Sequence, residues 1–111
     1  MATILSTANL MATYWATLGN TYSLHTGSPG AAGTANEASG GGYSRQSTTW
    51  GTAAGGVVTG SQLVFPVLNG NSTHACRWNG TTLRDIIDIT DVVLSPAGEI
   101  KFTPSSAVPY V

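Results

Sequence analysis

Three ionisable side chains in the first half of the chain are the best candidates for chemistry. His25, Glu37 and Arg45 supply a base, a carboxylate and a cation within and beside a glycine-rich stretch. Catalysis would need a nucleophile held by a base and an orienting group, and the sequence names no such set. An ion pair with a histidine donor could instead hold the two ends of a loop. We therefore predict that His25, Glu37, Tyr43 and Arg45 form a structural cluster that anchors this loop.

The remaining candidates for chemistry, three aspartates and one cysteine, are also predicted to have structural roles. Asp85, Asp88 and Asp91 have the spacing of a cation site, but on a strand Asp88 points away from the other two. Calcium needs six or more convergent oxygens, so we expect solvated charges on a sheet edge. Cys76 shares a strand face with His74, and as the single cysteine it is expected to be a buried free thiol. The sequence thus predicts no catalytic residue, no metal and no cofactor.

Composition narrows the range of partners. Of 111 residues only 8% are charged, against roughly 25% in an ordinary domain, and the net charge is −1. A nucleic-acid partner would require clustered lysine and arginine, so it is not expected. A membrane span is not expected either, because no run of about 18 apolar residues occurs. The length predicts a single domain over residues 1–111 with one modest core.

One helix is predicted, over residues 6–18. Ser6 or Thr7 could cap its start, and Gly19 could end it in a left-handed conformation. Large apolar residues recur every four positions along it, at 10, 14 and 18. We expect this face of Leu10, Tyr14 and Leu18 to pack against a sheet.

The rest of the chain is predicted to be a long loop followed by strands. Residues 27–42 are too rich in glycine for a helix or a central strand. Residues 43–104 alternate strand-like runs with turn signals, including turns at Asn69-Gly70 and Pro96, and residues 105–111 form a tail. This pattern predicts an antiparallel, jelly-roll-like β-sandwich. Its expected core is Leu63, Phe65, Val67, Trp78, Ile87, Ile89, Ile100 and Phe102.

The loop and the residues on either side of it carry the most specific pattern in the chain. Leu24-His25-Thr26 is followed by Pro29-Gly30, Gly33, Asn36-Glu37 and a glycine triplet, and then by Tyr43-Ser44-Arg45-Gln46. This order resembles the opening signature of short tailed-bacteriophage virion β-sandwich proteins, which are described as phage tail fibre or head decoration proteins.

The resemblance implies a non-enzymatic structural protein of the virion that is made in the cytoplasm of the host bacterium. Low charge, short length and the lack of a shaft repeat favour a capsid decoration protein that docks on the major capsid protein. The alternative is a tail fibre or tail-tip component that contacts other tail proteins or a host receptor. A homo-oligomer is a further option. Pro29, Gly30, Gly33 and Trp50 are the expected contact residues, and we expect the middle of the loop to be ordered only by a neighbouring subunit.

Overall fold

A computed structural model describes residues 3–68, 70–94 and 97–109. It confirms a mainly antiparallel β fold, β-sandwich-like with open sheets, that carries one N-terminal helix. The elements are α1 (Leu5–Thr17), β1 (Thr21–His25), β2 (Gln46–Ser47), β3 (Val57–Thr59), β4 (Leu63–Val67), β5 (Gly70–Asn79), β6 (Thr82–Leu94), β7 (Gly98–Phe102) and β8 (Ser105–Ala107).

The strands form three sheets around one main core. The largest has the order β2-β1-β5-β6, while β3 pairs with β8 and β4 pairs with β7. Alternation places Leu63, Phe65 and Val67 of β4 on one buried face. Ile100 of the neighbouring β7 pairs with Phe65 on the same face. Across the core these residues meet β1, and the buried cluster is Tyr22, Leu24, Leu63, Phe65, Val67 and Ile100. Of the expected core, Ile87, Ile89 and Phe102 are only half-buried at its border.

The helix packs with the opposite face from the one predicted. Leu10 and Tyr14 are 71% and 68% exposed, whereas Ala8, Ala12 and Ala16 are buried. Alanines four residues apart form a flat stripe, which lets the helix backbone lie close to β3 and pack on Val58. The expectation that this face packs on the sheet is therefore wrong for Leu10 and Tyr14, whereas Leu18, just beyond the helix, is half-buried. The small alanine side chains allow the closer approach.

Both ends of the helix also differ from prediction. The N-cap is Ile4, which makes no side-chain capping bond, so neither Ser6 nor Thr7 caps the helix. Gly19 has no left-handed backbone. Glycine is needed there because a Cβ would lie 2.6 Å from the carbonyl oxygen of Trp78. The carbonyls of Trp15 and Gly19 accept hydrogen bonds from the guanidinium of Arg77, at 2.7 and 3.2 Å.

Several strand boundaries differ from those predicted. Strand-like runs were expected from residue 43 onward, but before β3 only Gln46–Ser47 forms a strand. Residues 105–107 form β8 on β3 instead of belonging to a free tail. The expected turn residues Asn69 and Pro96, and residues 110–111 of the tail, lie outside the described residues.

Candidate functional site

The glycine-rich loop (residues 27–42) completes the open edge of β1. Strand β2 pairs only with Thr21 and Tyr22, so the backbone groups of Leu24 have no strand partner on that side. The hydroxyl of Tyr43 accepts the N–H of Leu24 at 2.9 Å, and the N–H of Ala38 donates to the Leu24 carbonyl at 2.9 Å. Loop residues thus take the place of a neighbouring strand.

The loop also carries its own internal hydrogen bonds. The N–H of Gly33 donates to the Gly30 carbonyl, and the N–H of Ala35 donates to that of Pro29 at 3.0 Å. Gly33 has a φ of 72°, and a Cβ there would lie 2.8 Å from both methyl carbons of Leu83. These contacts give the loop a defined conformation in the single chain. Turns and backbone bonds thus replace the missing apolar contacts. The expectation that a neighbouring subunit orders the middle of the loop stays a prediction.

A carboxylate with three donors lies where the loop returns to the sheet. Glu37 Oε2 accepts hydrogen bonds from the Tyr43 hydroxyl at 2.8 Å and from Arg45 Nε at 3.0 Å. Glu37 Oε1 accepts from Arg45 Nη2 at 3.0 Å, which completes a forked ion pair. The hydrogen bonds from Arg45 hold the pKa of Glu37 below its usual value. The guanidinium carbon of Arg45 also lies 4.2 Å from the ring centre of Trp78.

A second polar network lies beneath the loop, and its side chains are buried. His25 Nδ1 lies 2.8 Å from the carbonyl of Ala35, which can only accept, so Nδ1 is the donor. Its Nε2 lies 2.8 Å from the Ser23 hydroxyl oxygen, which accepts the indole N–H of Trp78 at 2.8 Å. Sequence reasoning missed Ser23 and Trp78, since only the pairing of β1 with β5 brings them together.

This network has the residue types of a serine–histidine pair but not the setting of an active one. Ser23 and His25 are both 0% exposed. The third group is a backbone carbonyl rather than a carboxylate, so it would do little to stabilise a protonated imidazole. Cys76, beside Ser23, is also 0% exposed, and burial raises the pKa of its thiol. The arrangement suits rigid packing of the loop on the sheet.

The four expected contact residues lie in different environments. Pro29 and Gly33 are buried, Gly30 is exposed and Trp50 is half-buried. The indole N–H of Trp50 donates to the Gly19 carbonyl at 3.0 Å, and its ring meets Trp15 edge to face at 5.1 Å. Trp50 thus joins the helix end to the strands.

The candidate metal ligands do not converge. Asp85 pairs with the buried Arg77 at 2.6 Å, while Asp88 and Asp91 are exposed. His74 Nδ1 lies 2.7 Å from the Thr73 hydroxyl. Within the described ranges, no three histidine, cysteine, aspartate or glutamate side chains are grouped to hold a metal ion.

In the same part of the chain, no helix has the length and apolarity to cross a membrane.

One exposed apolar surface within the described residues, on the helix, was not predicted. The outer helix face, which we define as Ile4, Leu10, Met11 and Tyr14, is 59%, 71%, 47% and 68% exposed at these residues. Large exposed apolar patches mark contact sites on soluble domains. The sequence signal was present as a second apolar side of the helix, opposite its alanines.

Comparison with protein families matches residues 4–83 to the Podophage GP4 fiber I protein gp80. The matched region covers well over half of the 111 residues and includes the helix, the glycine-rich loop and its anchoring side chains. Searches of curated proteins and of solved structures gave no match. The resemblance to phage virion proteins is confirmed, and the chain belongs to the Podophage GP4 fiber I protein gp80 family, a family of structural phage virion proteins.

Proposed function

We propose that the chain is a non-enzymatic structural subunit of a phage tail fibre. The family match over residues 4–83 carries this proposal, because the matched family is described as a fibre protein. It supports the tail alternative over the capsid decoration role that low charge and short length had favoured. Those two features suit any subunit that is docked in an assembly, so they do not distinguish shell from tail.

We propose that the anchor cluster, His25, Glu37, Tyr43 and Arg45, fixes the glycine-rich loop as part of this scaffold. Glu37 joins the returning loop to the segment before β2 through Tyr43 and Arg45. His25 joins β1 to the middle of the loop through Ala35. The cluster therefore supports a loop surface of constant shape, and its residues need no reactivity to do so.

We propose different roles for the four contact candidates. Gly30 is exposed and can meet a partner, whereas Pro29 and Gly33 act by folding the loop onto the sheet. Trp50 contributes through its contacts with the helix end. The partners in this account are other tail proteins, and the chain is made in the host cytoplasm before it joins the virion.

Quantitative mass spectrometry of purified virions tests the proposed position. A tail-fibre subunit is expected at a small number of copies per particle, far below the major capsid protein. A copy number comparable with that of the major capsid protein would contradict the tail proposal and restore capsid decoration. Absence of the chain from purified particles would contradict both positions.

A further inference from the structure

The two layers of the sandwich differ in width on the side of β6. The main sheet has four strands and ends at β6, whereas the facing sheet has only β4 and β7. The side chains that β6 directs inward are therefore only partly covered, and Ile87, Ile89 and Val92 are half-buried at the border of the core. Phe102 of β7 is half-buried beside them. The core is thus left open along this side.

The open side is a cleft between β6 and β7. It consists of two adjoining hollows of about 280 and 270 Å³, which share Ile89 and Phe102 in their walls. One end of the cleft reaches Trp15 and Tyr22, and the other end reaches Val92. Its walls are mainly apolar, so apolar side chains are more favourable occupants than water.

One wall of the cleft offers a free backbone edge. In the described part of the chain β7 is hydrogen-bonded to β4 alone, and this pairing is regular along the strand. Pro66 has no N–H to donate to its partner Glu99, so β7 makes its bonds to β4 through Ile100 and Phe102. The backbone groups of Glu99 and Lys101 therefore point to the other side, where a further strand could pair with them.

The other wall is less suited to pairing. The register of β5 with β6 shifts between Ser72 and His74, so that β6 bulges at residues 89–91. A bulge twists an edge away from regular pairing. Strand β6 therefore contributes apolar side chains to the cleft, whereas β7 contributes the edge.

We propose that an extended strand of another virion protein adds to the free edge of β7 and fills this cleft, as a third strand of the β4-β7 sheet. Such an addition takes its affinity from backbone bonds and its specificity from the side chains that enter the cleft. Every described strand of this chain is already hydrogen-bonded in a sheet, so a second copy could supply one only by giving it up. That the partner is a virion protein rests on the proposed function.

The residues of β7 define the sequence that the incoming strand needs. Ile100 and Phe102 face the core, so the residues opposite them should be apolar. Glu99 and Lys101 are exposed between them, so a basic residue opposite Glu99 and an acidic residue opposite Lys101 would complete cross-strand charge pairs. The expected ligand is a strand with apolar residues at alternate positions and charged residues of both signs between them.

Photocrosslinking in intact virions tests the proposal. Thr90 is exposed and lies in the wall of the cleft, so p-benzoylphenylalanine in its place should crosslink to the inserted strand. Mass spectrometry is expected to place the crosslink in one segment of another virion protein, with apolar residues at alternate positions. The same photoreactive group in place of Thr81, which is exposed in the turn before β6, is the matched control and should not give this crosslink.

Two substitutions of Lys101 separate strand addition from other contacts. Lys101→Pro removes the N–H on the free edge and leaves the bonds to β4 in place, whereas Lys101→Ala removes only the charge. The fraction crosslinked from position 90 should fall at least about tenfold in Lys101→Pro and stay within about twofold of the wild type in Lys101→Ala. The melting temperature of each purified variant shows whether it is folded.

Hydrogen exchange gives the same test in the unsubstituted chain. The amides of Glu99 and Lys101 should exchange at least about tenfold more slowly in virions than in the free chain, whereas the Ile100 amide, bonded to β4, should be protected in both. Equal exchange of Glu99 and Lys101 in the two states would overturn the proposal. So would particles that contain the chain but give no crosslink from position 90, or a crosslink only to a second copy. Absence of the chain from the particles would instead contradict the proposed function.

Discussion

Removing the charge of Glu37 while keeping its shape is the sharpest test of the anchor cluster. Its carboxylate accepts three hydrogen bonds of 2.8 to 3.0 Å, two of which form the fork with Arg45. In Glu37→Gln the amide nitrogen would face the guanidinium donors, so the fork would be lost while one acceptor remains. The side chains of Glu37 and Arg45 are 24% and 32% exposed, so this ion pair is only partly buried. We expect a loss of about 1.5 kcal/mol in the free energy of unfolding.

That loss corresponds to a fall of about 7 °C in the melting temperature of a domain of this size. Differential scanning calorimetry measures the fall, and hydrogen exchange should show faster exchange at the amides of Leu24 and Ala38. Glu99→Gln makes the same chemical change at an exposed position on β7 and should leave both readouts unchanged. A Glu37→Gln variant that melts within about 2 °C of the wild type, with loop exchange unaltered, would refute the anchoring role.

The same variant predicts how stability changes with pH. The pKa of Glu37 is held below its usual value in the folded chain, so the folded state favours the ionised carboxylate. The resulting stabilisation is fully present above the unfolded pKa and is lost as pH falls through the lowered folded pKa. The difference in melting temperature between wild type and Glu37→Gln should therefore be greatest near neutral pH. It should fall toward zero in acid. A difference that stays constant down to pH 2 would contradict this reasoning.

Three further predictions follow from the burial of individual side chains. Arg77→Met should lower the free energy of unfolding by about 3 kcal/mol in denaturant titration, since it removes the ion pair of a buried guanidinium with the part-exposed Asp85 and two hydrogen bonds to the carbonyls of Trp15 and Gly19. Arg84→Met removes one exposed hydrogen bond to the Leu18 carbonyl and should cost under about 1 kcal/mol. Cys76 should resist an uncharged alkylating reagent until the chain unfolds, and rapid labelling of the native protein would contradict its burial. At low protein concentration Tyr14→Ala should change the free energy of unfolding by less than about 1 kcal/mol, because Tyr14 is exposed. Ala12→Leu should cost about 2 kcal/mol, because the larger side chain overpacks the contact between helix and sheet. A larger loss in Tyr14→Ala than in Ala12→Leu would mean that the helix packs with its other face.

The class of fold could be predicted from sequence because its signals are local. Alternation in β4 and β7 and the turn residues between strands indicated antiparallel sheets, and the burial of Leu63, Phe65 and Ile100 followed from that alternation. The helix orientation could not be predicted from the same signals. Large apolar residues lie on one side of the helix and alanines on the other. Hydrophobic periodicity predicts that the larger residues are buried, but the alanines allow the helix to approach the sheet more closely.

The site was foreseeable in part for a similar reason. Glu37, Tyr43 and Arg45 lie within nine residues of one another, so a local cluster could be expected from their types. The bond from Trp78 to Ser23 joins residues far apart in sequence and depends on the register of β1 with β5. The ion pair of Arg77 with Asp85 likewise depends on the pairing of β5 with β6, and the aspartate pattern alone gave no sign of it.

Location on the particle is the most direct test of the central proposal, that this chain is a structural subunit of the tail fibre. Virions labelled with an antibody against the folded chain, and imaged by electron microscopy, would show its position without disrupting the particle. The account predicts label on the fibres at the tail. Label spread evenly over the capsid shell, with none at the tail, would contradict it.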